Sequence, residues 1–105
     1  MPKFVLDPAP TFKAHVDISQ HGGGAVPVLF EFKHRTRDAL DKFLEEAKSA
    51  EMSPVDEVLA VAVGWELEDA FNAENIEKLL QNYQGAGIAV ARTYIQEIRQ
   101  VRLGN

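Results

Sequence analysis

The hydrophobic period changes once along this chain, at His34, and that change decides what it can fold into. Before it, apolar residues recur at every second position; after it, they recur at spacings of three and four. Phe12, Ala14, Val16 and Ile18 alternate with Lys13, His15 and Asp17, the pattern of a strand with one buried face. Val26, Val28, Phe30 and Phe32 alternate likewise with Pro27, Leu29, Glu31 and Lys33. Gly22-Gly23-Gly24 lies between the two runs and marks a hairpin loop. The register follows from the pattern: Phe12 opposite Phe32, Ala14 opposite Phe30, Val16 opposite Val28 and Ile18 opposite Val26. It also sets Lys13 opposite Glu31, an opposite-charge pair on the outer face. A slip of one residue would turn one strand's apolar set into solvent. Pro27 has no N–H for a ladder, so it must face a sheet edge or a bulge, and the sheet must be small.

Beyond His34 the spacing is helical. Thr36 is placed to cap a helix in which Leu40, Phe43, Leu44 and Ala47 form one stripe, fading near Ala50. Ser53-Pro54 followed by Asp56 reads as the capped start of a second helix, apolar on most sides and ended by Gly64. Residues 65–71 (WELEDAF) are ambiguous between helix and turn, with Trp65 expected to plug the core. Asn72 caps a third helix with the stripe Ile76, Leu79, Leu80 and Tyr83. Gly85 and Gly87 bracket a break before a last helix from about Ala86 to Arg102. On it Ile88, Ala91, Ile95 and Ile98 share one side, and Val90, Tyr94 and Val101 widen the apolar arc to roughly 160°, beyond the ~100° a surface helix needs. The fold class expected is α+β: an N-terminal antiparallel hairpin, then about four helices. At 105 residues this is expected to be one domain. Residues 1–10, with Pro2, Pro8 and Pro10, form an extended arm, 11–34 the hairpin and 36–103 the helical part.

Little here is arranged as catalysis requires. His15, His21 and His34 have no carboxylate at ligand spacing and no His-x-x-x-His pairing, so no metal site is expected. The carboxylates of Glu45, Glu46, Glu66, Glu68 and Asp69 fall on presumed solvent faces. The glycine run leads into a strand, not the helix N-terminus that phosphate binding needs. No catalytic residue and no cofactor is assigned. With no cysteine the chain has no disulfide framework, which fits a reducing cytoplasm. Lys3 precedes only three apolar residues before Asp7, so no secretory leader is expected. A formal charge of −5 disfavours nucleic acid and anionic membranes. What remains is protein binding. The surplus arc is either core in a small fold or a docking face; on the second reading Tyr94, Val101 and Leu103 border a partner surface, with Arg92 and Arg99 at its polar rim, facing a partner or a second copy.

The second half resembles a known family on particular residues. They are Val63-Gly64-Trp65, Leu67, Phe71, Asn72 with Ile76, Leu79-Leu80, Asn82-Tyr83-Gln84-Gly85-Ala86, then Ile88, Tyr94 and Ile95. The opening from Pro2 to Phe12 and the run Phe32–Thr36 extend the likeness over nearly the whole chain. These features resemble the tail assembly chaperones of long-tailed bacteriophages and their prophage relatives. Gln84 departs from the pattern, standing where many relatives have proline, and implies a looser turn. The resemblance implies a non-enzymatic protein of the host cytoplasm. It would bind the tape measure protein, recruit tail tube subunits, and leave before the virion matures. In many members a programmed frameshift adds a second domain. Two other readings stay open: a structural tail component retained in the particle, and a small α+β ligand-binding domain.

Overall fold

A computed structural model describes residues 4–100. Its first elements are β1 (Thr11–Ser19) and β2 (Ala25–Lys33), antiparallel in the expected register, with Phe12 facing Phe32, Ala14 facing Phe30 and Val16 facing Val28. The loop between them needs its glycines, because Gly22, Gly23 and Gly24 all take positive φ, at 83°, 96° and 79°. Alternation along the strands delivers Val16, Ile18, Phe30 and Phe32 to the core, with Phe12 and Val28 packed at its margin. Lys13 and Glu31 are opposite one another as expected. They do not pair by charge, however: Lys13 Nζ sits 3.6 Å from Glu66, and Glu31 accepts from the Thr11 hydroxyl at 2.7 Å.

Two capped helices follow. In α1 (Arg37–Ala50) the Thr36 side chain accepts from the Ala39 N–H, and in α2 (Pro54–Val61) Ser53 does the same for Asp56. The sequence expectation that α2 runs on to Gly64 is corrected: Ala62–Trp65 is a third strand, β3, antiparallel to β2. Trp65 pairs with Phe30 and Ala62 with Phe32, and Val63 is the extra residue of a bulge. Val58 to Val63 is an unbroken apolar run, compatible with either period, so local sequence could not locate the switch. The sheet order is β1-β2-β3, with β2 central.

This arrangement explains how a central strand tolerates Pro27. The ladder bonds Gln20 N–H to Gly24 O and His34 N–H to Pro10 O involve even-numbered residues, so the odd-numbered residues of β2 turn their backbone groups toward β3. There β3 and its extension run from Phe32 no farther than Leu29, and Pro27 lies past that end. Residues 66–70 bend away, then α3 (Ala73–Asn82) starts at Asn72, whose side chain accepts from the Asn75 N–H at 2.9 Å. A tight turn at Tyr83–Gly85 leads into α4 (Ala86–Arg99), closed by Gln100 in the left-handed region. The continuation expected to Arg102 lies outside the described residues.

The packing reverses the expected roles of the two stripes on α4. Ala86, Val90 and Tyr94 are buried against the sheet, whereas Ile88 is 65% exposed and Ala91 is exposed. Both stripes are apolar. The one ending in Tyr94 wins because a large ring can join the aromatic layer of the sheet. Its centroid lies 6.1 Å from that of Phe12 and 5.5 Å from that of Phe32.

Trp65, expected as a core plug, is half-buried. Its ring meets Phe30 and Phe71 edge-on at 5.8 and 5.1 Å, and its Nε1–H donates to the Asp69 carbonyl at 2.8 Å. It covers one end of the core while leaving an edge to solvent.

Candidate functional site

α1 is attached differently from the other helices. It has no extended backbone packing against another described element, and only Leu40 of its residues is buried. Its fastenings cluster near its start. The Arg99 guanidinium of α4 reaches Asp41 at 3.2 Å, and the Arg35 guanidinium, just before the helix, lies 4.0 Å from the centre of the Phe43 ring. Phe43 and Leu44 reach the core only in part, and with Ala47 they leave apolar surface facing the other helices.

Arg35 is the residue that sequence reading missed. Its Nη1 donates to the Tyr94 hydroxyl at 2.8 Å and its Nη2 to the Ala60 carbonyl at 2.9 Å, while the Tyr94 hydroxyl donates to the Lys33 carbonyl at 2.9 Å. One side chain thus ties the end of β2 to α1, α2 and α4. Between a strand and a helix cap, an arginine in sequence looks like any solvated one. Only the tertiary approach of Ala60 and Tyr94 reveals its job.

Between α1 and the other helices opens a cleft of about 560 Å³. Phe43, Leu44 and Ala47 line it from α1, Val58 and Val61 from α2, and Ile88, Ala91 and Ile95 from α4. Tyr94 and Val90 reach its floor. Its charged lining residues are both carboxylates, Glu57 on α2 and Glu77 on α3; Gln81 and Gln84 add neutral polar groups. Gln81 donates to Glu77 at 2.9 Å and steadies it. The volume lies in the range of small-ligand sites, but those carry polar groups converging on one point. Here the polar groups sit along α2, α3 and the turn after α3, while α1 and α4 present a continuous apolar surface. Such a surface suits a row of apolar side chains.

α4 does carry surplus apolar surface, at exposed Ile88 and Ala91 with half-buried Ile95 beside them, rather than on the flank containing Tyr94. Tyr94 is 1% exposed and belongs to the core, meeting the cleft only at its floor. The physical reason is its hydroxyl, bonded on both sides within the fold. Arg92 is exposed on α4, and Arg99 is engaged with Asp41. Val101 and Leu103 lie outside the described residues.

A smaller hollow of about 210 Å³ lies beside Trp65, Leu67, Leu79 and Tyr83. The histidines are dispersed: His15 is exposed, His21 stacks on Tyr83 at 6.1 Å, and the His34 backbone N–H joins the ladder to Pro10. Among the described residues no group of three His, Cys, Asp or Glu could hold a metal ion, and no helix is long and apolar enough to cross a membrane.

No curated protein and no solved structure gives a significant match to the chain. A family model does, over residues 1–105, which include every element of the sheet and all four helices around the cleft. That model describes phage tail assembly chaperones, and the chain belongs to this family, whose role in tail assembly is that of a chaperone for tail proteins.

Proposed function

We propose that this chaperone holds the tape measure protein through the cleft between α1 and α4, and recruits tail tube subunits to it. It works in the host cytoplasm and leaves before the particle matures. The observation that carries the reading is the cleft itself. An apolar trough walled by helix stripes accepts the apolar face of a helix, and a long helical protein awaiting assembly exposes such faces. Holding them shields surface that would otherwise drive association. The loosely packed α1 fits this work, because a wall with few fastenings can adjust to successive segments of one long partner.

The test is co-expression with helical fragments of the tape measure protein, reading the soluble fraction and co-purification. Ile88→Asp with Ala91→Glu alters two exposed cleft positions, so folding should be retained within about 0.5 kcal/mol. Capture of the fragment should fall at least tenfold. A folded double variant that keeps the fragment soluble would move the binding surface away from the cleft.

A further inference from the structure

The cleft also carries information about what enters it. Its apolar part cannot distinguish one amphipathic helix from another, since Phe43, Leu44, Ala47, Ile88, Ala91 and Ile95 make only shape and burial demands. Its charged part can. Among the described lining residues the charges are Glu57 and Glu77, with no lysine or arginine to balance them. They stand on α2 and α3, whereas the lining residues of α1 are all apolar. Two arginines packed beside the trough are engaged within the fold, Arg35 over Phe43 and onto Tyr94 and Ala60, and Arg99 onto Asp41, while Lys78, next to Glu77 in the chain, lines the hollow beside Trp65. A guest that covers the trough removes solvent from around these carboxylates. An acidic or neutral flank would leave them facing a like charge or an unpaired environment, and a basic flank would neutralise them.

Resting on the reading that the cleft holds a tail-protein helix, we infer that the segment it takes is an amphipathic helix with a Lys- or Arg-bearing flank. The apolar ridge, with residues at i, i+3 or i+4 and i+7, enters the trough. A cylinder of 10–12 Å diameter is too wide for 560 Å³ to enclose, so one ridge enters while the helix body rides above. The flank on the α2–α3 side then lies over Glu57 and Glu77. Burial supplies the affinity, and the charges set the orientation and exclude acidic helices.

The experiment uses the full chain and three designed 18-residue helical peptides with one shared leucine stripe, differing only in a Lys, Gln or Glu flank. Binding is read by fluorescence anisotropy at low and high salt. The Lys peptide should bind about tenfold more tightly than the Gln peptide at low salt, from two screened pairs of up to about 0.7 kcal/mol each. It should lose most of that advantage at high salt, and the Glu peptide should bind weakest. In the variant Glu57→Lys with Glu77→Lys the order should reverse, while Ile88→Asp should weaken all three. Equal binding of the three peptides would overturn the inference, as would an unchanged order in the charge-reversed variant or no binding at all. So would indifference to Ile88→Asp, since binding would then be outside the cleft. Failure of the tape measure reading looks different: the peptide order holds, yet tape measure fragments are not kept soluble.

Discussion

Replacing Tyr94 with phenylalanine removes one oxygen and should cost the fold about 2–3 kcal/mol. The hydroxyl donates to the Lys33 carbonyl at 2.9 Å and accepts from Arg35 Nη1 at 2.8 Å, at a site where the residue is 1% exposed. A neutral hydrogen bond contributes about 0.5–1.5 kcal/mol and one to a charged group about 1.5–3 kcal/mol. Arg35 is only half-buried, so water recovers part of the second term, and the lower half of the sum applies. The ring remains, so the stack with Phe12 and Phe32 is kept. Urea unfolding followed by tryptophan fluorescence is the assay: the midpoint should fall with an unchanged m-value, because no extra surface is exposed on unfolding. Arg35→Met removes the other half of the same bond, so the double variant should lose about 1–2 kcal/mol less than the sum of the singles. Tyr94→Ser, by contrast, also empties the ring's place, adding about 3–5 kcal/mol. Against a total stability of about 5–15 kcal/mol, that substitution unfolds much of the protein. A loss below about 0.5 kcal/mol for Tyr94→Phe, or additive singles, would show that the Arg35–Tyr94–Lys33 chain does not hold the helices to the sheet.

Two further outcomes follow from the local structure. Trp65→Ala should cost about 2–3 kcal/mol, near half the figure for a fully buried ring, since one edge is in solvent and two edge-on contacts are lost; a loss above 5 kcal/mol in chemical denaturation would mean the ring is a true core plug. Asn72→Ala should cost about 1 kcal/mol by freeing the Asn75 N–H at the start of α3, and thermal unfolding unchanged within a degree would remove the cap from the account.

The parts of the fold legible in the sequence are those where each residue's local preference agrees with its tertiary place. The hairpin is the clearest case: two period-two runs and a glycine loop allow one register that buries Phe12, Val16, Val28, Phe30 and Phe32 together, and that register is the one formed. The three caps at Thr36, Ser53 and Asn72 are equally local, each a short side chain reaching an N–H three residues on. β3 was not legible for the opposite reason. Ala62, Val63 and Trp65 gain strand geometry only because β2 offers Phe30 and Phe32 as partners about thirty to thirty-five residues back along the chain.

The cleft was half legible, and the missing half is instructive. A helical wheel of α4 shows that its apolar arc exceeds one interface, but it cannot say which portion the sheet will take. That choice is made by size and by a polar end. Small Ala86 and medium Val90 let the helix approach, and Tyr94 fills the gap beside Phe12 and Phe32 while its hydroxyl finds the Lys33 carbonyl and the Arg35 guanidinium. Isoleucine at the same place would fill less of the gap and supply neither hydrogen bond, leaving the Lys33 carbonyl and Arg35 Nη1 without the hydroxyl. With Tyr94 inward, Ile88 and Ala91 are left exposed and Ile95 half-buried, facing the cleft that Phe43, Leu44 and Ala47 line from α1. The hydroxyl bonds that fix Tyr94 in the core thereby leave exposed the surface on which the chaperone's binding is proposed to rest.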